Sequence, residues 1–98
     1  MEHPIYKVES FEIVAPYTLD VTFDDGLTRR INFEPVLAGG LFGPLRDRSQ
    51  FDLVGIDPEV GTLVWPNGAD FDPATLHDWD QHFAAMKRTA EKWQSVNA

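Results

Sequence analysis

The sequence predicts a single α+β domain. Its small, mainly antiparallel sheet of about five strands carries a short helical turn and a longer C-terminal amphipathic helix on one face. Two observations support this fold class. Alternating apolar residues and turn signals fill the first two thirds of the chain, whereas apolar residues at helical spacing fill the last quarter. The 98 residues suffice for one core, and the apolar share of 43% is that of ordinary globular proteins.

The clearest strand pattern is a strict alternation of apolar and polar residues over 17–23. Asp25-Gly26 follows at once and the alternation resumes over 27–33, so these segments are predicted to form a β-hairpin. Arg29 lies on the apolar side of the second strand, which indicates a strand end, a bulge or a paired charge. Further strands are predicted at three segments: 8–15, 51–56 and 61–65.

Two further segments carry helix signals. Pro35 near its start and Gly39-Gly40 at its end predict a short helical turn over 34–40, and a packed loop follows over 41–45. Asp72-Pro73 predicts a helix start, because Asp accepts free backbone N–H groups and Pro has no N–H to leave unpaired. Apolar residues then recur every three or four positions for about five turns, which predicts one amphipathic helix: Leu76, Trp79, Phe83, Met86, Ala90 and Trp93.

The net charge is −8 and belongs to the first part of the chain. Residues 1–72 hold 13 acidic and 5 basic residues, whereas residues 73–98 are balanced. Such a surface repels phosphate, so direct nucleic-acid binding is disfavoured, although carboxylates spaced like phosphates would suit a DNA mimic. No apolar run reaches the ~20 residues of a membrane helix, and no signal peptide is recognisable. We therefore expect a cytoplasmic protein without membrane contact.

The sequence offers little catalytic chemistry. The absence of cysteine excludes disulfides, thiolate catalysis and cysteine-based metal sites. His77 and His82 are five residues apart and cannot share a helix face as a zinc pair does, although His82 is placed to touch Asp78. No nucleophile elbow or phosphate loop occurs, and Asp24-Asp25 is interpreted as a turn. We expect no catalytic residue, metal or cofactor, which leaves enzymatic activity open but disfavoured.

Two groups of residues are candidate binding sites. The turn after the predicted strand 61–65 places Trp65, Asn67 and Asp70 close together, and with Arg46 they would form a small ligand pocket. The alternative is that Trp65 closes the core above an ordinary turn. The other group lies on the C-terminal helix, which either covers the sheet or extends past it to a protein partner or a second copy of the chain. Its anchors would be Trp79, Phe83, Met86 and Trp93.

The order of several short motifs resembles the bacterial family called domain of unknown function 2442. These are the Leu19-to-Gly26 hairpin, Pro35-x-Leu37 with Gly40, Phe42-x-Pro44-Leu45-x-Asp47, Phe51-x-x-Val54, Gly61-Thr62-x-x-Trp65-Pro66-Asn67-Gly68-x-Asp70 and Pro73-x-x-Leu76. The resemblance covers about residues 8–79, within a common core of about 5–79, and 80–98 look like a C-terminal extension. His77 stands where the family usually carries an aromatic residue. The resemblance implies an α+β fold, no known activity, and an interaction role in what resemble toxin–antitoxin pairs.

The leading functional hypothesis is therefore a non-catalytic protein-interaction or regulatory module, of the antitoxin kind. Its alternatives are a small-molecule binder or minor enzyme that uses the Trp65 turn, and an acidic DNA mimic. The acidic body, the few nucleophiles and the Trp-bearing helix favour the first, because an acidic surface speeds the capture of a basic partner.

Overall fold

The computed structural model describes residues 6–96, except for the side chains of residues 93–96. The described part of the chain contains five strands: β1 (Val8–Ala15), β2 (Thr18–Phe23), β3 (Thr28–Asn32), β4 (Gly55–Asp57) and β5 (Thr62–Val64). It also contains four α-helices: α1 (Gly39–Phe42), α2 (Arg48–Phe51), α3 (Pro73–His77) and α4 (Trp79–Val96). Single 3-10 turns cover Glu34–Val36 and Gly43–Arg46. The predicted α+β class with antiparallel sheets and a C-terminal helix is confirmed.

The first three strands form an antiparallel sheet in the order β1-β2-β3. The predicted Asp25-Gly26 hairpin joins β2 to β3 and pairs Leu19 with Ile31. The alternation in β2 places Leu19, Val21 and Phe23 in the core. β1 is an edge strand whose register shifts twice against β2, and most of its residues are exposed. The apolar side chains on one face of this sheet therefore form part of the core.

The prediction of one sheet of about five strands is wrong, because β4 and β5 form a separate two-stranded sheet. The prediction of a strand over 51–56 is also only partly correct. The Asp47 carboxylate accepts a hydrogen bond from the Ser49 backbone N–H at 2.9 Å, which caps α2 and makes Phe51 its last residue. The chain reaches extended geometry only at Gly55, which leaves β4 three residues long.

The segment between β3 and α2 is more helical than the sequence indicates. The predicted turn over 34–40 is confirmed at Glu34–Val36, where Pro35 stands in the first turn. The predicted loop 41–45 instead continues through α1 into the second 3-10 turn. These short turns place Val36, Leu37 and Leu45 in the core.

The C-terminal helical region begins as predicted but is not continuous. The Asp72 carboxylate accepts a hydrogen bond from the Ala74 backbone N–H at 3.3 Å and so caps α3. The helix then breaks at Asp78, whose backbone has φ −102° and ψ 35°, and α4 starts at Trp79. The Arg29 side chain donates from Nε to the His77 carbonyl at 2.8 Å, and this contact holds the break.

Aromatic side chains fill the centre of the core. Phe33 lies within 6.1 Å, ring centre to ring centre, of four other aromatic rings: Phe51, Trp65, Phe71 and Trp79. Trp79 brings the start of α4 into this cluster, and the later turns of α4 pack mainly against the helical turns of 34–42. The contact of α4 with these turns was not expected from the sequence, and packing of the helix on one face of the sheet stays a prediction. None of the described helices is long and apolar enough to cross a membrane.

Candidate functional site

An open apolar cleft separates α4 from the segment that follows β3. Its volume is about 380 Å³. We call it the α4 cleft and define it by the residues that line it: Val36, Ala38, Phe42, Phe71, Ala85, Met86, Thr89 and Ala90. This volume lies within the range of ~300–1,000 Å³ that small-molecule pockets occupy.

The cleft exists because small side chains face each other across it. Ala38 on one side and Ala85 and Ala90 on α4 are too short to fill the space between their backbones. Phe42 and Phe71, whose rings lie 4.9 Å apart, form the aromatic end of the cleft and connect it to the core. The cleft is therefore supported by packed rings rather than by a mobile loop.

The lining of the α4 cleft offers binding but no catalysis. None of its residues titrates or carries a charge. The hydroxyl of Thr89 donates to the Ala85 carbonyl at 3.1 Å, so its hydrogen is already used within the helix. An apolar group that enters the cleft gains free energy from burial, at about 25 cal/mol per Å².

The residues predicted around the Trp65 turn do not line the α4 cleft. Trp65 is 2% exposed, and its Nε1–H donates to the Phe51 carbonyl at 2.9 Å. The Asn67 amide donates to the Leu41 carbonyl at 2.9 Å, and its oxygen accepts from the Ala69 backbone N–H at 3.0 Å. These contacts show a core tryptophan above a turn that is locked by hydrogen bonds.

The other two residues of that prediction are also placed apart from the α4 cleft. Asp70 is exposed and pairs through its backbone with Val64 at the end of the second sheet. Arg46 lies on the 3-10 turn, where its Nη1 is 3.4 Å from the Leu37 carbonyl and its own carbonyl accepts the Tyr17 hydroxyl. A ligand site formed by Arg46 and the Trp65 turn therefore stays a prediction.

The predicted interface residues of α4 divide between core and surface. Trp79 is buried, and Phe83 and Met86 are half-buried against the core. Of these, Met86 lines the α4 cleft. The side chain of Trp93 lies outside the described residues, so its role at an interface stays a prediction.

A second feature, the His77 junction, lies where α3 meets α4. The His77 ring stacks on Tyr6 at 3.6 Å between ring centres, and its two nitrogens contact different carboxylates. Nδ1 lies 2.9 Å from Asp78 and Nε2 lies 2.7 Å from Asp25 in the β2–β3 hairpin turn. Asp78 therefore contacts His77 rather than the predicted His82. The junction ties the first hairpin to the helix break.

The two carboxylates control the protonation of His77. Burial alone would lower the pKa of the ring, which is 12% exposed, but the hydrogen bonds to Asp78 and Asp25 outweigh it and raise that pKa. The Leu27 backbone N–H and then His77 lower the pKa of Asp25. A ring with both nitrogens engaged is not free to act as a general base, which indicates a structural role.

Comparison with known proteins places the chain in a family. A family model described as a protein of unknown function, DUF2442, matches residues 8–82. The chain belongs to the DUF2442 family. The resemblance found in the sequence motifs is thereby confirmed. Neither curated proteins nor solved structures gave a match.

The boundary of the DUF2442 match falls inside α4. Its last residue, 82, precedes Ala85, Met86, Thr89 and Ala90, which form the α4 wall of the cleft. The opposite wall, with Val36 and Phe42, lies within the DUF2442 region. The cleft is therefore formed by the region that the family model matches together with the part of α4 that lies beyond this match.

Sequence reasoning found only Met86 among the residues that line this cleft. The signal for the α4 wall was present, since Ala90 belongs to the apolar stripe and Ala85 and Thr89 lie next to it at helical spacing. Nothing in the sequence pairs these residues with Ala38 or Phe42, because the two walls are more than 40 residues apart along the chain.

Proposed function

We propose that this protein is a non-catalytic interaction module that binds a protein partner through the α4 cleft. The observation that carries the proposal is an open apolar cleft without titratable lining residues, one wall of which is the helix predicted to contact a partner. One or two apolar side chains of a partner would fill a space of this size. Such anchors in a small pocket commonly dominate the energy of an interface.

The net charge of the chain affects how the module approaches its partner. The net charge of −8 speeds approach to a basic surface elsewhere on the partner, whereas the cleft supplies short-range apolar contact. A regulatory role of the antitoxin kind, in the cytoplasm, is consistent with binding without catalysis and remains part of the proposal.

Blocking the cleft without disturbing the core tests the proposal. Thr89 is exposed at the cleft, so Thr89→Trp places an indole into the space. Glu91 is exposed two residues further along α4, on the opposite side of the helix, and Glu91→Trp is the matched control. Partners are captured with tagged wild-type and variant proteins at low and moderate salt. A partner that Thr89→Trp loses and Glu91→Trp retains supports the proposal.

Binding of a small apolar ligand is the second candidate function, because the volume of the cleft also suits such a ligand. Thermal unfolding in the presence of small apolar compounds separates the two. A compound that raises the unfolding temperature of wild-type protein and of Glu91→Trp, but not of Thr89→Trp, indicates ligand binding. In the capture experiment, a partner that Thr89→Trp and wild-type protein capture equally well binds outside the α4 cleft.

A further inference from the structure

We propose that the segment that enters the α4 cleft carries a carboxylate next to its apolar anchor, so that the docking element of the partner is an acidic peptide segment. This rests on the proposed function and names the chemistry of the partner at the same site. The argument depends on two basic residues at the rim of the cleft, Arg88 and Lys92.

Helix geometry places both residues at this rim. Ala85 and Thr89 line the cleft, and Arg88 and Lys92 each follow one of them by three positions. Residues three or four apart on a helix are neighbours on its surface. At about 100° per residue, Arg88 and Lys92 lie on the outer flank of Ala85 and Thr89, away from the buried Ala90. An apolar group in the cleft therefore has two cations beside its exit.

These cations are available to a ligand. Both residues are exposed. Within residues 6–92, neither forms an ion pair with a carboxylate, and Arg88 makes only a long contact of 3.5 Å from Nε to the Ala84 carbonyl. Four of the six other basic residues of the described region do contact an acidic side chain or a carbonyl: Arg29, Arg30, Arg46 and Arg48. The rim is thus a free positive patch.

The rest of the molecule makes this patch selective. Residues 1–72 carry the whole net charge of −8, so acidic segments are repelled from most of the surface. Salt at physiological strength screens that repulsion beyond about 8 Å, whereas a carboxylate at the rim stays within reach of Arg88 and Lys92. An acidic segment is therefore accepted where an apolar anchor holds it in the cleft.

Three blocked dipeptides test the inference on the full chain by NMR titration: N-acetyl-phenylalanyl-glutamyl amide, its glutaminyl analogue and its lysyl analogue. The phenyl ring is the same anchor in each, and only the neighbouring charge differs. We expect all three to shift backbone amides of residues 85–90 and 36–42. The glutamyl peptide should bind about twofold to fivefold more tightly than the glutaminyl one, as for an exposed ion pair. The lysyl peptide should bind most weakly.

Neighbouring variants identify the cations responsible. Arg88→Gln and Lys87→Gln change the net charge equally, but Lys87 lies about 100° around α4 from Arg88, beside the buried Ala90 rather than beside the exposed Ala85 and Thr89. Arg88→Gln should remove most of the preference for the glutamyl peptide, and Lys87→Gln should retain it. Equal binding of the three peptides by wild-type protein overturns the inference but leaves the apolar cleft as a docking site. No shift of cleft amides with any peptide overturns the proposed function itself.

Discussion

The behaviour of His77 follows from what touches its ring. Tyr6 covers one face, the edge of Phe23 contacts it at 5.0 Å, and carboxylates of Asp25 and Asp78 hold the two nitrogens. Both nitrogens can donate only when the ring is protonated, because a neutral imidazole has a single N–H. The charged form therefore matches this environment, and the folded state raises the pKa of His77.

This raised pKa predicts a pH dependence of stability. The contribution of His77 is fully present below the ordinary pKa of 6.5 and is lost as the pH rises through the higher pKa of the folded state. We expect the free energy of unfolding in urea to fall as the pH rises from about 6.5 through the raised pKa of His77 in the folded state. His77→Phe, which keeps an aromatic ring beside Tyr6, should flatten this slope, and His82→Phe should keep it. A wild-type profile that is flat over this range contradicts the assignment.

Trp65 leads to a second prediction at the residue scale. Its ring lies in the core and its Nε1–H satisfies the Phe51 carbonyl. Trp65→Phe leaves a cavity and removes the shorter of the two hydrogen bonds that the Phe51 carbonyl accepts, so we expect a loss of about 2–4 kcal/mol in urea unfolding. Trp79→Phe removes a similar volume from a buried site and, among the described contacts, no hydrogen bond. Equal losses in the two variants would mean that the Trp65 hydrogen bond adds nothing.

At the scale of elements, the break between α3 and α4 decides where α4 lies. The Arg29 guanidinium reaches from β3 to the His77 carbonyl at the end of α3 and to the Asp80 carboxylate, 3.1 Å away, in the first turn of α4. A continuous helix would pair the His77 carbonyl with an N–H four residues later. Arg29 supplies the His77 carbonyl with a donor from β3, so the helical hydrogen bonding can be interrupted at Asp78.

Removing Arg29 therefore affects both helices. Arg29→Gln should destabilise the protein by about 1–3 kcal/mol, because the carbonyl and the carboxylate lose a charged donor. Its neighbour Arg30 points to the other side of β3, where its mostly exposed side chain pairs with Asp20 at 2.8 Å. Arg30→Gln should cost much less, since exposed ion pairs contribute little. Urea unfolding measures both, and similar losses would contradict a special role of Arg29 at the break.

At the scale of the whole molecule, two small sheets and a set of helical turns share one aromatic core. The two-stranded sheet is too small to be stable alone, and the rings of Phe33, Phe71 and Trp79 connect the sheets to the helices. α4 continues beyond residue 82, where the family match ends. Its Ala90 is buried, so this part of the helix also packs against the rest of the protein.

Truncation tests whether this extension is part of the folded unit. A chain that ends at residue 82 loses Met86 and Ala90 and exposes the apolar wall with Val36 and Phe71. We expect it to lose about 3–5 kcal/mol of stability in urea unfolding and to associate more readily. Light scattering after size exclusion reports the association. A chain that ends at residue 92 keeps every residue of the cleft and is the control. Unchanged stability of the shorter chain would show that α4 packs only weakly.

Local chemistry was readable from the sequence wherever a few neighbouring residues decide the outcome. The alternation in β2, the Asp25-Gly26 turn and the Asp72 cap each depend on residues within one or two turns of chain, and the structure confirms them. The α+β class and the family follow from the order of such signals. Arg29 was also marked correctly as a charge on an apolar face, one of whose explanations was a partner.

Contacts between distant residues decided the rest. The sequence does not show that Asp47 caps a helical turn that ends at Phe51, nor that the second pair of strands leaves the first sheet. His77 meets Asp25 across 52 positions and Arg29 across 48, and these contacts break a helix that its own periodicity predicts as continuous. The α4 cleft likewise lies between residues that are more than 40 positions apart along the chain. Periodicity and caps are local and therefore determine the elements, whereas the directions of the elements and the space between them arise from side chains that folding brings together.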